Sequence, residues 1–351
     1  MSSMTGSEVI VSPVLHPHRI HSLPVLVLMV HSRCNCRCLM CDIWKTADTR
    51  ELRLADLEPH IASIQRLGVE WVVFSGGEPL MNPGLFGLAR ALRDLGIRLT
   101  LLTTGLLLGN NAAEVAVLFD EVIVSLDGPR SIHDNIRRVP RAYDLMAEGI
   151  TQLKELDPSL PIRARTTVQK SNFLHLRATV TAARDLGLDS ISFLAADVTS
   201  TAFNRDLVWP VERQSQVALT ASEIDALEVE LTQLAENVRS DIESGFIVES
   251  PSKLHRIVRH FRAQISLEAA IAPICNAPWT SAVVESDGAV RPCFFHASIG
   301  NINEVPLEEV LNSPAALEFR ETLDIDSNPT CRRCVCSLNY QTAVKHNEET
   351  L

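Results

Sequence analysis

The chain alternates short apolar runs with stretches where apolar residues recur every three or four positions. Pro24–Met29 (Pro-Val-Leu-Val-Leu-Met) is a continuous apolar run, the pattern of a buried strand. Leu57, Ile61, Ile64 and Leu67 then recur at helical spacing and stop at Gly68, a C-cap residue. Trp71–Phe74 predicts a second strand, Leu85–Leu95 a helix ending at Gly96, Arg98–Thr103 a third strand and Ala112–Phe119 a short helix. Val122–Ser125, Ile162–Val168 and Ile191–Ala195 continue the strands, while Tyr143–Leu156 and Leu174–Leu186 continue the helices. About six strand–helix units result, and such alternation implies parallel strands covered by helices. In barrel-like versions the chemistry gathers at the C-terminal ends of the strands. The fold class expected is α/β, a partial (β/α)6 TIM-like barrel.

The pattern changes near Asp197. Val198 to about Leu219 reads as loose and mostly polar. Thr220 with Glu223 is a capping-box signature, and Ile224, Leu227, Leu231 and Leu234 form one face of a helix. Ser250-Pro251 opens another helix through Leu254, Ile257 and Phe261. From Cys275 a compact Cys-rich module follows. It has a hairpin (Thr280–Glu285, a turn at Asp287-Gly288, Ala289–Phe294), a helix near Leu307–Leu311 and a terminal Cys331-Arg-Arg-Cys334-Val-Cys336. The expected organisation is a mobile leader with some docking role over 1–23, the strand–helix domain over 24–199, a helical bridge over 200–270, the Cys-rich module over 271–340 and a frayed tail over 341–351.

Charge and cysteine usage narrow the class. A net charge of −11 argues against a nucleic-acid backbone or an anionic membrane as main partner, because both need a basic surface. No run approaches the roughly 20 apolar residues of a membrane span, and the first 22 residues lack the marks of a secretory signal. A cytoplasmic protein is expected, in which thiols stay reduced. Nine cysteines, an odd number in two clusters with C-x2-C spacings, then point to metal rather than disulfides.

Four of them lie in Cys34-Asn-Cys-Arg-Cys-Leu-Met-Cys41. Cys34, Cys38 and Cys41 have the spacing C-x3-C-x2-C, which can hold three corners of a cubane iron–sulfur cluster. Either Cys36 closes the site or one iron stays open to something that is not protein. Gly76-Gly77-Glu78-Pro79 follows the second strand and Ser125-Leu126-Asp127-Gly128 the fourth. Together these residues resemble a radical S-adenosylmethionine (SAM) enzyme, over about 24–197.

The resemblance implies that SAM chelates the open iron of a [4Fe–4S] cluster held by Cys34, Cys38 and Cys41. It implies reductive cleavage of SAM to a 5′-deoxyadenosyl radical that takes a hydrogen atom from substrate. Gly76, Gly77 and Glu78 would receive the SAM amino group, Ser125 and Asp127 the ribose, Met40 the adenine and Arg165 the SAM carboxylate. Arg163 shares a strand face with Arg165, and the plain reading of the two is a structural ion pair. Thr103-Thr104-Gly105 departs from the Asn-Gly of many relatives.

Cys275, Cys293, Cys331 and Cys334 resemble the twitch form of the SPASM module, which implies a second, auxiliary [4Fe–4S] cluster. A four-cysteine zinc site has the same ligand count. Cys36 and Cys336 are left over as small filler residues or, more sharply, as hydrogen-atom donors. His296, Asp197 and Arg291 are either substrate-facing or ordinary polar groups. By this resemblance the auxiliary cluster accepts the electron left on a substrate radical, giving net oxidation of a small natural-product or sugar-like substrate. The 23 residues before Pro24 leave no room for the leader-gripping domain of peptide maturases. Peptide modification and redox-neutral epimerisation are the alternatives, and a metal-binding scaffold or electron carrier is the rival outside the enzymes. A reducing partner such as flavodoxin or ferredoxin is implied.

Overall fold

The computed structural model describes residues 17–205, 207–237 and 239–341. Most of the expected leader and nearly all of the tail lie outside these residues. Strands β1 (Val25–His31), β2 (Trp71–Gly76), β3 (Arg98–Thr103), β4 (Glu121–Ser125), β5 (Ile162–Val168) and β6 (Ser190–Ala195) pair in parallel in sequence order. The mixed α/β class is therefore as expected. Along β5, Ile162, Ala164, Thr166 and Val168 are buried while Arg163, Arg165 and Thr167 are less so, the period of two that a strand imposes. The buried row packs under helices. The other row carries polar groups, among them Ser125, Arg165 and Ser192.

The Cys-rich module joins the same sheet. Strand β7 (Ser281–Val284) lies parallel to β1, with Val25 opposite Ser281, and β8 (Ala289–Arg291) and β9 (Gly300–Asn301) follow antiparallel. The predicted hairpin thus exists, with a second strand shorter than the run to Phe294. Its seat beside β1 was not foreseen. At the opposite edge Ile247 bridges Ile191 in parallel.

Several expectations need correction. The helix read over Leu57–Leu67 is split into Leu54–Leu57, a 3-10 turn Glu58–His60 and Ile61–Arg66, because Pro59 cannot donate within a helix. A helix over Arg130–Arg137 was missed; its apolar content is only Ile132 and Ile136, too little for a stripe. Residues 198–205 and 207–219 have little regular structure but are not loose, since Val198, Arg205, Trp209 and Val217 are buried. His18 and Ile20, at the end of the expected leader, dock on the C-terminal module. Ile20 exchanges hydrogen bonds with Asn312 at 2.8 and 3.0 Å, and the buried Arg320 donates to the His18 carbonyl at 2.7 Å.

The capping box forms as read, with Glu223 accepting from Thr220 N at 2.8 Å and Thr220 Oγ1 from Glu223 N at 3.4 Å. The helices Ala221–Asn237 and Pro251–Gln264 place Ile224, Leu227, Leu254 and Phe261 in the core shared with the strands. Among the described residues no helix is long and apolar enough to cross a membrane.

Candidate active site

The cysteine loop leaves β1 at its C-terminal end, and three contacts separate its thiols by role. Cys36 N donates to Cys34 Sγ at 3.5 Å, Arg137 Nη1 to Cys38 Sγ at 3.6 Å and Ile43 N to Cys41 Sγ at 3.4 Å. Those to Cys38 and Cys41 favour the thiolate. A hydrogen bond from Cys36, helped by Arg137 and opposed by burial, brings Cys38 down to about 7. Burial pushes Cys41 up to about 12, a cost that coordination to metal would offset. Cys36 is fully buried, and its hydrogen bonds with Cys34 and Cys38, together with burial, push its thiol far up. The donor set therefore fits a cluster on Cys34, Cys38 and Cys41, with Cys36 as a neutral neighbour. Among the described residues no three His, Cys, Asp or Glu side chains converge on one ion position; a cubane takes its thiolates at separate irons.

The glycine turn after β2 is packed onto this loop. Gly77 N donates to the His31 carbonyl at 2.7 Å and Glu78 N to that of Arg33 at 2.9 Å. A Cβ on Gly77 would stand 1.9 Å from the Arg33 carbonyl oxygen, so only glycine permits this approach. Gly77→Ala is expected to cost at least the ~1–3 kcal/mol of overpacking and to lower iron bound at the first centre. A variant with the parent's melting temperature and iron content would refute the tight fit.

Glu78 is fully buried and accepts from Leu80 N at 3.0 Å, Thr103 Oγ1 at 2.7 Å and Thr104 N at 2.7 Å. Burial raises its pKa, these donors opposing. Thr103 and Thr104 thus tie the turn to β3, and Thr104 Oγ1 donates to Asn35 in the cysteine loop at 3.0 Å.

Asp127 is likewise fully buried. It pairs with Arg137 Nη2 at 2.6 Å and accepts from Thr167 N at 3.0 Å. Arg137, which sequence reasoning missed, bridges Asp127 to Cys38. Burial works against its charge, but Asp127 and the cysteines more than offset that. His133, one turn earlier, is held near 3 by burial and by Arg137, and its Nδ1 accepts from Asp127 N at 3.2 Å. The i, i+4 pair His133/Arg137 after Asp127-Gly128 was the available signal.

Asp197, Arg205, Trp209 and Arg213 clamp the loop from outside. Asp197 and Arg205 form a buried pair at 2.9 Å, and Arg205 also donates to the Met40 carbonyl at 3.0 Å. Arg205 stacks on Trp209, 3.9 Å from its centroid, while Trp209 Nε1 donates to Asp42 at 2.6 Å. Arg213 donates to the Leu39 carbonyl at 2.6 Å. Met40 Sδ lies 3.4 Å from Gln169 Nε2. Of the polar groups weighed earlier, Asp197 is held by Arg205, Arg291 pairs with Glu285 at 2.9 Å, and His296 Nε2 lies 3.4 Å from Cys331 Sγ.

Cys275, Cys293, Cys331 and Cys334 are all half-buried. They lie close enough to act on one another: burial, Cys293 and Cys275 push Cys331 up to about 11. Arg256 donates to the Cys334 carbonyl at 3.0 Å. Four neighbouring cysteines whose thiolates would repel one another fit a cluster whose iron would offset that charge.

Two cavities flank the strand ends. One of about 420 Å³ is lined by Arg165, Ser192 and Leu194 from β5 and β6, by the Pro251–Gln264 helix, and by Cys334 and Cys336. The other, about 630 Å³, lies between Gly76-Gly77, Lys45 and the aromatic group Phe203, Phe294 and Phe295. The expected SAM contacts are thus divided. Gly76 and Gly77 line the second cavity, Arg165 the first, Ser125 is half-buried at the end of β4, and Glu78 and Asp127 are enclosed. Arg163 pairs with Glu121 at 2.7 Å, so it is the structural partner of the two arginines.

Residues 28–162 match the radical SAM superfamily, and residues 275–335 match an iron–sulfur cluster-binding domain, SPASM. The chain is 30% identical to an AdoMet-dependent heme synthase of Methanosarcina barkeri over 206 residues, 54% of this chain and 58% of the relative. It therefore spans less than two thirds of that relative. It is 25% identical to an Fe-coproporphyrin III synthase of the same organism, covering 91% of this chain and 83% of the other. Among solved structures it resembles Streptococcus suis SuiB bound to S-adenosylmethionine, with a TM-score of 0.64 and 16% identity over 91% of this chain and 73% of that one. The two domain matches imply SAM and two iron–sulfur clusters as cofactors.

Proposed function

We propose that this chain, which belongs to the radical SAM superfamily and carries a C-terminal iron–sulfur cluster-binding domain, oxidises a small molecule held beside its C-terminal cysteine centre. The observation that carries this reading is the cavity of about 420 Å³ whose walls include both the polar row of β5 and β6 and the Cys334–Cys336 loop. A substrate there lies beside the auxiliary cysteines. Its volume is in the range of small-molecule sites, and the curated relatives above are named for tetrapyrrole chemistry.

The cofactors, when bound, supply the radical that takes a hydrogen atom from substrate and an acceptor for the electron left behind. The protein's part is to hold and shield. Cys34, Cys38 and Cys41 hold the first cluster, with Arg137 balancing its charge. Cys275, Cys293, Cys331 and Cys334 hold the second. Backbone groups of Gly76 and Gly77 receive the SAM amino group, Ser125 the ribose, Met40 the adenine and Arg165 the carboxylate. Glu78 and Asp127, enclosed by protein donors, act as positioning residues. A flavodoxin- or ferredoxin-type reductant and a cytoplasmic setting complete the reading.

Loss of a hydrogen atom and an electron leaves a proton to be removed. Glu249 lines the cavity and accepts from Phe193 N at 2.9 Å; burial raises its pKa above the usual carboxylate range. Because a base must be deprotonated, turnover rises with pH through that raised value. Glu249→Gln is expected to abolish this limb and lower kcat by about 10²-fold; an unchanged pH profile would remove Glu249 from the mechanism.

The test is anaerobic reconstitution, reduction with dithionite and addition of SAM. The expected result is about eight irons per chain, four per cluster, formation of 5′-deoxyadenosine, and substrate consumption with small molecules. Turnover with peptides alone would replace the small-molecule reading by peptide modification. Absence of any SAM cleavage would leave a metal-binding scaffold.

A further inference from the structure

We infer that the cavity beside the auxiliary cysteines is an anion-anchoring site, and that the substrate it takes is a small molecule bearing at least two carboxylates. This rests on the substrate lying in that cavity. The chain as a whole carries a net charge of −11, yet the cavity wall holds Arg165, Lys253, Arg256, Arg332 and Arg333 against one carboxylate, Glu249.

What the cations touch distinguishes them. Many arginines elsewhere find carboxylates: Arg163 reaches Glu121 at 2.7 Å, Arg177 reaches Glu230 at 2.9 Å, and Arg259, also on the cavity wall, reaches Glu268 at 3.4 Å, while Arg213 and Arg320 are held by backbone carbonyls away from this cavity. Among the described residues Lys253, Arg256 and Arg333 form no such pair. Arg256 donates only to the Cys334 carbonyl at 3.0 Å. Lys253 and Arg256 are three residues apart on the Pro251–Gln264 helix and share one of its faces. Leu254, Ile257, Val258 and Phe261 of the same helix are buried in the core.

Two cations one turn apart match two carboxylates, each taken by charge-assisted hydrogen bonds. Arg165, assigned to the SAM carboxylate, is at the strand end of the same cavity. A polycarboxylate anchored on Lys253 and Arg256 would therefore bridge from the SAM side to the second cysteine centre. The competing role for these cations is screening of the second cluster. Arg256 suits it, since it donates to the Cys334 carbonyl. Lys253 does not, because among the described residues its side chain forms no hydrogen bond or ion pair with that loop.

The experiment uses the reconstituted two-cluster protein with SAM, without reduction. Binding of citrate, tricarballylate and coproporphyrin III is measured by calorimetry, and that of coproporphyrin III also by fluorescence, each beside its methyl ester. At least one free acid is expected to bind, with its ester at least tenfold weaker. Lys253→Met is expected to weaken that acid about tenfold or more at unchanged iron content and unchanged potential of the second cluster. Arg256→Met should weaken it similarly, and Arg256→Lys should retain most of the affinity. Binding of no free acid, or equal binding of acid and ester, overturns the inference. So does a Lys253→Met variant in which the potential moves and affinity does not. Formation of 5′-deoxyadenosine by the reduced protein is scored separately. Its failure counts against the radical reading, and its presence without acid binding counts against the anion site alone.

Discussion

Replacing Arg137 by methionine is expected to destabilise the fold by about 3–5 kcal/mol, the cost of leaving one partner of a buried ion pair alone. Arg137 is the enclosed link between the Asp127 carboxylate at 2.6 Å and Cys38 Sγ at 3.6 Å. Both partners are buried, Asp127 fully so, and solvent screening is correspondingly weak. Removing the guanidinium also removes the positive charge that favours the Cys38 thiolate, and iron bound at the first centre should fall with the stability. Urea unfolding of the cluster-free protein measures the first effect, and iron per chain after reconstitution the second. Arg137→Lys should be intermediate, because a point charge cannot reach both partners as a guanidinium does. The double variant Asp127→Asn/Arg137→Met should be more stable than Arg137→Met alone, since no carboxylate is then stranded. A single variant as stable as the parent would show that the bridge is not what holds the loop.

Substituting the auxiliary ligands separates radical formation from oxidation. Cys331→Ala/Cys334→Ala is expected to lower iron from about eight to about four per chain while leaving 5′-deoxyadenosine formation in place. Product should fall at least ~10³-fold, about 4 kcal/mol of effective barrier, because the electron left on substrate has no acceptor. Cys331 lies in the short Pro329–Arg332 helix and Cys334 follows it on the cavity wall, so their removal disturbs no strand. Product formed at the parent rate would make the reaction redox-neutral and the second centre structural. Loss of 5′-deoxyadenosine as well would mean that the two centres do not act separately.

Much of the site was legible because it is local. C-x3-C-x2-C and Gly76-Gly77-Glu78 each lie within a few residues, at the ends of strands whose apolar runs are plain. Chemistry that depends on spacing along one loop survives without knowledge of the fold. What the motif did not reveal is which of its groups are open to a ligand. Glu78 and Asp127 read as contacts for SAM, but the fold surrounds both with protein donors. Thr103 and Thr104, read as a departure from the usual Asn-Gly, turned out to hold Glu78. The stretch around Trp209 was misread for the same reason. A polar composition locally says loop, and only packing shows that Arg205 and Trp209 are buried against Met40 and Asp42.

The sequence by itself determined the strand–helix alternation, the two cysteine centres and the acidic balance of the chain. These are carried by residue identity and by periods of two or 3.6 positions. Tertiary structure alone decided that β7 sits beside β1, that Arg137 joins Asp127 to Cys38, and that Lys253 and Arg256 face the same cavity as Arg165. Apart from the ten positions between Asp127 and Arg137, those relations pair groups many tens to hundreds of positions apart. No local period encodes such pairings, because burial and unsatisfied charge become defined only once the chain has closed on itself.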